Sequence, residues 1–329
     1  MTSSERPTGS AASVPAPPAI PVLPWGGPDG RDRLQAWRAN VGAPVALDLA
    51  ETPPLSTVAG VAVVSWNCWI GHGRLADVIG RVRETTTLPI VALVQEAYRA
   101  DGSIPERPAA RAARRAAGGF GARRSDRADI VQTARALGLN LRYAPSMRNG
   151  AAPSDRGNAI LSDLPLTDAH AFELPLVLQR RVPVVATLSA PHGGLTVASA
   201  HLDPRGPPGY AWLGVAGRAK QTDYLLRQLG DDVVILGADL NLGRGRRERS
   251  WRLLQEAGFS HGIPGVRPTW RHTFHALPRL VLDYVLVRDR QGRVARAAVE
   301  RLDEHPLDRG RTVFGSDHHP LLARIDLHP

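Results

Sequence analysis

The stretch "GSDHHP", Gly315–Pro320, sets an aspartate and two histidines side by side between a glycine and a proline. Gly, Ser, Asp and Pro are ordinary turn residues. The segment therefore reads either as a solvated turn or as a loop in which a carboxylate and an imidazole act on the same atom. Six residues alone do not choose between these readings. What terminates the apolar runs elsewhere in the chain does.

Short β-branched runs recur: "VAVVSW" (61–66), "IVALVQ" (90–95), "NAILS" (158–162), "VPVVATLSA" (182–190), "LTVASA" (195–200), "DVVILGA" (232–238) and "LVLDYVLV" (280–287). The first is followed by Asn67 and the second by Glu96; "LTVASA" is followed by His201 and "DVVILGA" by Asp239, with Asn241 two residues on. Side chains two apart on a strand share a face, so Asp239 and Asn241 are expected to point into one cleft. Asp283 interrupts an apolar run, and a carboxylate there is costly unless it is paired or bound to a cation. A histidine of "SDHH" is its candidate partner. Each residue taken singly has an ordinary explanation as a turn, surface or half-buried group. Turn chemistry does not predict the ordered set at the ends of separate strands.

Helical patterns fall between some runs, in "GRLADVIGRVRET", "ADIVQTARALG" and "GRAKQTDYLLRQLG", the last closed by a glycine. Several strands follow one another directly. This predicts two packed sheets flanked by helices rather than a purely parallel, doubly wound sheet. Residues 1 to about 24 are rich in Ser, Pro and Ala and read as a disordered tail. We expect 1–57 to be a Pro/Ala-rich N-terminal tail, with "RDRLQAWRAN" adding a short helix, and 58–329 to form the main domain. Within it, 99–127 carries eight arginines against three acids and reads as a mobile basic insertion.

With 43% hydrophobic and 22% charged residues, the chain has the composition of a globular protein. No run approaches the ~18–20 apolar residues needed to cross a bilayer, and the N-terminus does not read as a signal peptide. Cys68 is the single cysteine, so nothing requires an oxidising compartment and the cytoplasm is the default expectation. The net charge of +10 favours polyanionic partners. Lys220 is the only lysine, however, and such arginine-rich, lysine-poor usage also follows from GC-rich codons.

Taken together, "SWN", "QE", "RGNAILS", "HLD", "ADLN", "LDYV" and "SDHHP" resemble, in order and spacing, the motifs of the endonuclease/exonuclease/phosphatase superfamily with its DNase I-like fold. The resemblance spans roughly residues 58–329. It implies an α/β, four-layer sandwich of two mainly antiparallel β-sheets packed face to face with flanking helices, and metal-dependent hydrolysis of a phosphoester. Asn67, Glu96 and Asp317 would be the oxygen donors to Mg²⁺ or Mn²⁺. His318, paired with Asp283, would act as general base or as a donor to the phosphate. Asp239 would orient or activate water, Asn241 would position it, and His201 would stabilise the transition state or protonate the leaving oxygen. Arg156 and Asn158 are expected at the phosphate. His319 reads as structural, Tyr143 as either an active tyrosine or a core aromatic, and Arg148 and Asn149 as either a substrate grip or a turn. "ADLN" stands where "GDFN" is commoner and keeps both functional side chains.

Fold does not fix substrate. The superfamily spans nucleases, phosphatases of small phosphoesters and sphingomyelinases, so DNA is one candidate substrate among several. A non-catalytic binding module on this fold would be expected to have lost Glu96, Asp239 or His318, and all three are present.

Overall fold

The computed structural model describes residues 20–28, 30–51, 59–106, 127–189, 193–204, 214–231, 233–261, 272–304 and 312–328. One sheet runs in the order β1 (Val22–Leu23), β7 (Leu166–Phe172), β8 (Val184–Leu188), β9 (Leu195–His201), β10 (Val234–Asp239) and β11 (Asp283–Arg288). The other runs β12 (Val294–Arg301), β13 (Leu321–Leu327), β3 (Gly60–Asn67), β4 (Ile90–Arg99), β6 (Asp155–Ser162), β5 (Asn140–Arg148) and β2 (Val45–Leu47). Neighbours are antiparallel except for β1–β7, β9–β10 and β3–β4. The expected mainly antiparallel pair of sheets is therefore present.

The layering follows from strand alternation. On β3, Val61 and Val63 enter the core between the two sheets, while Ala62, Val64 and Trp66 pack outward under the helices. Those helices are α2 (Leu75–Thr85) and α3 (Ile130–Leu137), which bury Val78, Ile79, Val82, Ile130 and Ala134. On the other side α4 (Val215–Gln228) and α5 (Arg249–Glu256) cover Ala198, Ala200, Leu236 and Leu286 with Leu225, Trp251 and Leu254. Strands buried on both faces explain why their sequences are continuous apolar runs rather than alternating ones. Helix α3 begins at Asp129, whose carboxylate accepts from the N–H groups of Val131 and Gln132, and ends at Gly138 in the left-handed region.

Residues 20–51 were expected to lie outside the main domain. Instead they add an edge strand to each sheet, β1 and β2, and between them the helix α1 (Arg31–Arg38) that "RDRLQAWRAN" predicts. Arg99, counted with the basic insertion, closes β4 inside the core. It makes two hydrogen bonds to Asp155 at 3.1 and 2.7 Å. Residues 107–126, the rest of that insertion apart from its ends, and residues 1–19 of the tail lie outside the described residues.

Candidate active site

The same alternation that fills the sandwich interior also builds the site at its rim. Along β9, β10 and β11 the inward columns read Val197–Ser199–His201, Ile235–Gly237–Asp239 and Val287–Val285–Asp283. Asp239 is in register with His201 on one side and Asp283 on the other, so the three polar residues form a single row. The facing column of β3 is Val61–Val63–Ser65–Asn67. One layer beneath the row, Gln95 donates to Ser199 Oγ at 3.2 Å and to the Gly237 carbonyl at 3.3 Å. The interior thus passes from apolar to small polar to ionisable residues over successive inward positions.

Asp239 Oδ2 is the centre of the row. It accepts from Asn67 Nδ2 at 2.9 Å and lies 3.3 Å from His201 Nε2 and 4.0 Å from His318 Nε2. His318 arrives on the "GSDHHP" loop, and its Nδ1 meets Asp283 Oδ2 at 2.8 Å, the pairing expected for a carboxylate inside an apolar run. The loop is held rigidly. Ser316 Oγ donates to the Asn67 carbonyl at 2.6 Å and accepts from His318 N–H at 3.1 Å. Trp66 Nε1 donates to the His318 carbonyl at 2.8 Å. The turn into the loop requires glycine at 315, where φ is 86° and a Cβ would run into the His72 carbonyl oxygen.

Burial and crowding set the charges. Burial, with Asp283 beside it, pushes the Asp239 carboxyl up to about 7, against the opposing influence of His318, Asn67 and Arg181. For His318 burial alone would lower the pKa, but the charge and hydrogen bond of Asp283, with Asp239 and Asp317, raise it to about 10. Burial and the cations Arg181, His318 and Arg156 hold His201 well below the usual histidine value, so its ring is neutral. Burial raises Asp317 to about 6, His318 opposing and Glu96 adding to the rise.

Glu96 stands at a bulge in β4 between Val94 and Ala97, with φ of 52° in the left-handed region. Among the described residues its carboxylate makes no hydrogen bond or ion pair. It lines a cleft with Arg156, Asn158, Arg181 and His201. Arg156 donates to Asn149 Oδ1 at 2.8 Å, while its Nε is buried without a partner. Arg181 is held by Asp203 at 3.3 Å and Gln179 at 2.8 Å. Asp317 Oδ1, close enough to Glu96 for their charges to interact, is likewise buried without a hydrogen bond. Two carboxylates near enough for their charges to interact, one of them with a buried oxygen left without a hydrogen bond, are the donor chemistry of a hard divalent cation. The Asn67 amide oxygen accepts from Trp69 N–H at 3.0 Å and keeps a second lone pair.

Several expectations resolve differently. Asn241 does not share a strand face with Asp239. β10 ends at Asp239, and Asn241 lies in a turn with φ of 51°, its N–H donating to Asp239 Oδ1 at 3.1 Å and its side chain to the Leu202 carbonyl at 3.0 Å. Asn158 lines the cleft, but its amide donates to the Val182 carbonyl at 2.7 Å. Tyr143 is a core aromatic, fully buried, donating to Asp155 at 2.7 Å under the Arg99 guanidinium. Arg148 is spent on the backbone carbonyls of Pro105, Glu106, Gly150 and Ala151. Arg181 was not anticipated; its only sequence signal is the doublet "RR" ahead of "VPVV". Thr273 was missed as well, and its hydroxyl accepts from the N–H groups of Leu282 and Asp283 at 2.9 and 3.0 Å.

Comparison with known proteins bears on the family and the fold. The model of the Endonuclease/Exonuclease/phosphatase family matches residues 64–318. None of the curated proteins matches at a significant level. Among solved structures, an endonuclease/exonuclease/phosphatase from Beutenbergia cavernae superposes with a TM-score of 0.53 at 19% identity, covering 81% of this chain and 71% of that one. D. rerio TDP2 complexed with a single-strand DNA product gives 0.52 at 15% identity, with 82% and 99% covered. The human Nocturnin catalytic domain with a bound sulfate anion gives 0.51 at 14%, with 87% and 98% covered. These similarities establish the DNase I-like fold.

Proposed function

The chain belongs to the Endonuclease/Exonuclease/phosphatase family, whose enzymes cleave phosphoester bonds, and from that premise we propose that it hydrolyses a phosphoester with a divalent metal ion and water as nucleophile. The observation that carries this reading is the single carboxylate oxygen, Asp239 Oδ2, surrounded by Asn67, His201 and His318 beside a cleft that also presents Glu96 and two arginines.

Glu96 and Asp317, with the Asn67 amide oxygen, would hold Mg²⁺ or Mn²⁺. Such an ion neutralises phosphate charge and stabilises the departing oxygen. Asp239, with a pKa of about 7, takes a proton from water near neutrality at little cost. The Asn67 amide and the Asn241 backbone N–H fix its two oxygens, which sets the direction of the attack. Since Asp283 keeps His318 protonated up to about pH 10, that imidazolium serves as a donor to a phosphate oxygen rather than as the base. Neutral His201 donates its Nε2–H to charge developing on the phosphoryl group. Arg156 and Arg181 bring fixed positive charge to the cleft for the non-bridging oxygens.

A DNA-directed version is the second reading, supported by the +10 charge and by the arginines of 107–126. Among the described residues no helix is long and apolar enough to cross a membrane. The test is Mg²⁺- or Mn²⁺-dependent hydrolysis of a bis-aryl phosphodiester beside supercoiled plasmid DNA, with His318→Ala and Asp239→Ala as controls. Metal-dependent turnover that falls by about 10²–10⁴ in both variants supports the reading. Plasmid nicking would select the nuclease version, and cleavage of the aryl ester alone a smaller phosphoester. Turnover that survives in both variants sinks it.

A further inference from the structure

Behind the catalytic loop three more histidines meet. "HTFH", His272–His275, places two imidazoles three residues apart, and His319 adds a third next to His318 but facing away from it. One ring nitrogen from each of His272, His275 and His319 lies within 4.8 Å of the others. His275 Nδ1 and His319 Nε2 are 3.1 Å apart. A tetrahedral zinc ion with Zn–N bonds of about 2.0–2.1 Å sets its ligand nitrogens roughly 3.3–3.4 Å apart, so this pair already has nearly that spacing.

The surroundings match such a centre. His319 Nδ1 and Asp303 Oδ1, both buried, sit 2.8 Å apart. A carboxylate–histidine pair of this kind fixes the tautomer and presents Nε2 as a lone pair. Arg301 and Arg279 are the nearby cations, and Arg301 is paired with Asp303 Oδ2 at 2.8 Å. The two segments are also laced through their backbones, with His275 N–H donating to the Asp317 carbonyl at 2.7 Å and His319 N–H to the Thr273 carbonyl at 2.8 Å. We infer that His272, His275 and His319 form a second metal site, for a borderline transition-metal ion of the Zn²⁺ type, that clips segment 272–275 to loop 317–319. The clip acts where it matters for the site already described. Thr273 anchors the backbone of Asp283, and the Phe274 ring packs on His318 at 5.0 Å between centroids. All-imidazole ligation selects this ion over Mg²⁺, which takes oxygen donors.

The experiment uses the full chain, stripped with chelator and then titrated with Zn²⁺ or Co²⁺ in excess Mg²⁺. The expected result is one Zn²⁺ per chain that excess Mg²⁺ does not displace, a visible tetrahedral Co²⁺ spectrum and a raised Tm. His272→Ala/His275→Ala should weaken Zn²⁺ binding by about 100-fold or more, and Asp303→Asn by about 10–100-fold, while Glu96→Gln keeps the wild-type affinity. If the double variant does not fold, His272→Gln at its half-buried position supplies the same comparison. Absence of stoichiometric zinc, or affinity unchanged in the histidine variants, overturns the site. Because metal content, spectrum and melting are read rather than turnover, failure here is separate from failure of the hydrolase reading.

Discussion

Asp283 shows how a single residue carries both packing and chemistry. In an apolar run it had to have a partner, and the partner is His318 Nδ1 at 2.8 Å. Asp283→Asn removes the charge that raises His318 to about 10. The alkaline limb of the pH–rate profile should then move down toward the ordinary histidine value of about 6.5, with kcat falling about 10²-fold or more. In wild type, the stability that His318 contributes is complete below about pH 6.5 and is lost as pH rises through about 10. Asp239 is also raised, to about 7, so its ionisation costs the folded state as pH climbs from about 4 through 7. Asp239→Asn should therefore abolish turnover while raising Tm in chelator, more at pH 8 than at pH 5. Equal Tm gains at the two pH values would contradict the assignment. Glu96, His201, Asp239 and Asp283 were legible because each follows or interrupts an apolar run, and Asp317 and His318 because "GSDHHP" sets them side by side. Arg181 and Thr273 were not, since their importance lies in contacts across 22 and 10 residues of sequence.

Among elements, β4 departs most from its sequence pattern. Its bulge turns Glu96 out of the alternation and its last residue, Arg99, runs into the core. Composition grouped Arg99 with a basic surface segment, whereas Asp155 gathers Arg99, the Tyr143 hydroxyl at 2.7 Å and the Gly42 N–H at 2.9 Å. Breaking a buried pair strands a charge, so Asp155→Asn should cost about 3–5 kcal/mol, measurable by urea denaturation with the m-value unchanged. A loss below 1 kcal/mol would mean that the pair is solvated. Helices α2, α3 and α4 were readable from apolar periodicity, whereas α5, with three charges in eight residues, was not. β5, β7, β12 and β13 were missed for a related reason. β7, β12 and β13 carry polar residues outward or end a sheet, and β5, though buried throughout, reads "NLRYAPSMR", so no uninterrupted apolar run marks any of them.

At the scale of the whole molecule, a site at the rim of two facing sheets needs both sheets present, since Asn67 comes from one and Asp239 from the other. The net charge of +10 gives a molecular-scale test of partner. If DNA is the substrate, its log affinity should fall linearly with log salt, with a slope of about −0.9 per phosphate neutralised. A flat dependence would remove the nuclease reading and leave a smaller phosphoester.

The sequence by itself determined the layered α/β architecture and most of the row at the rim, because strand alternation and the cost of burying charge are local rules that leave marks at fixed positions. Tertiary structure alone decided the rest. It set which carboxylate Asn67 meets, which side chain of "RGNAILS" faces the cleft, that residues 20–51 join both sheets, and that three histidines converge behind the catalytic loop. Those outcomes depend on strand order and on backbone with positive φ at Glu96, Asn241 and Gly315. They bring together residues that no period in the chain connects.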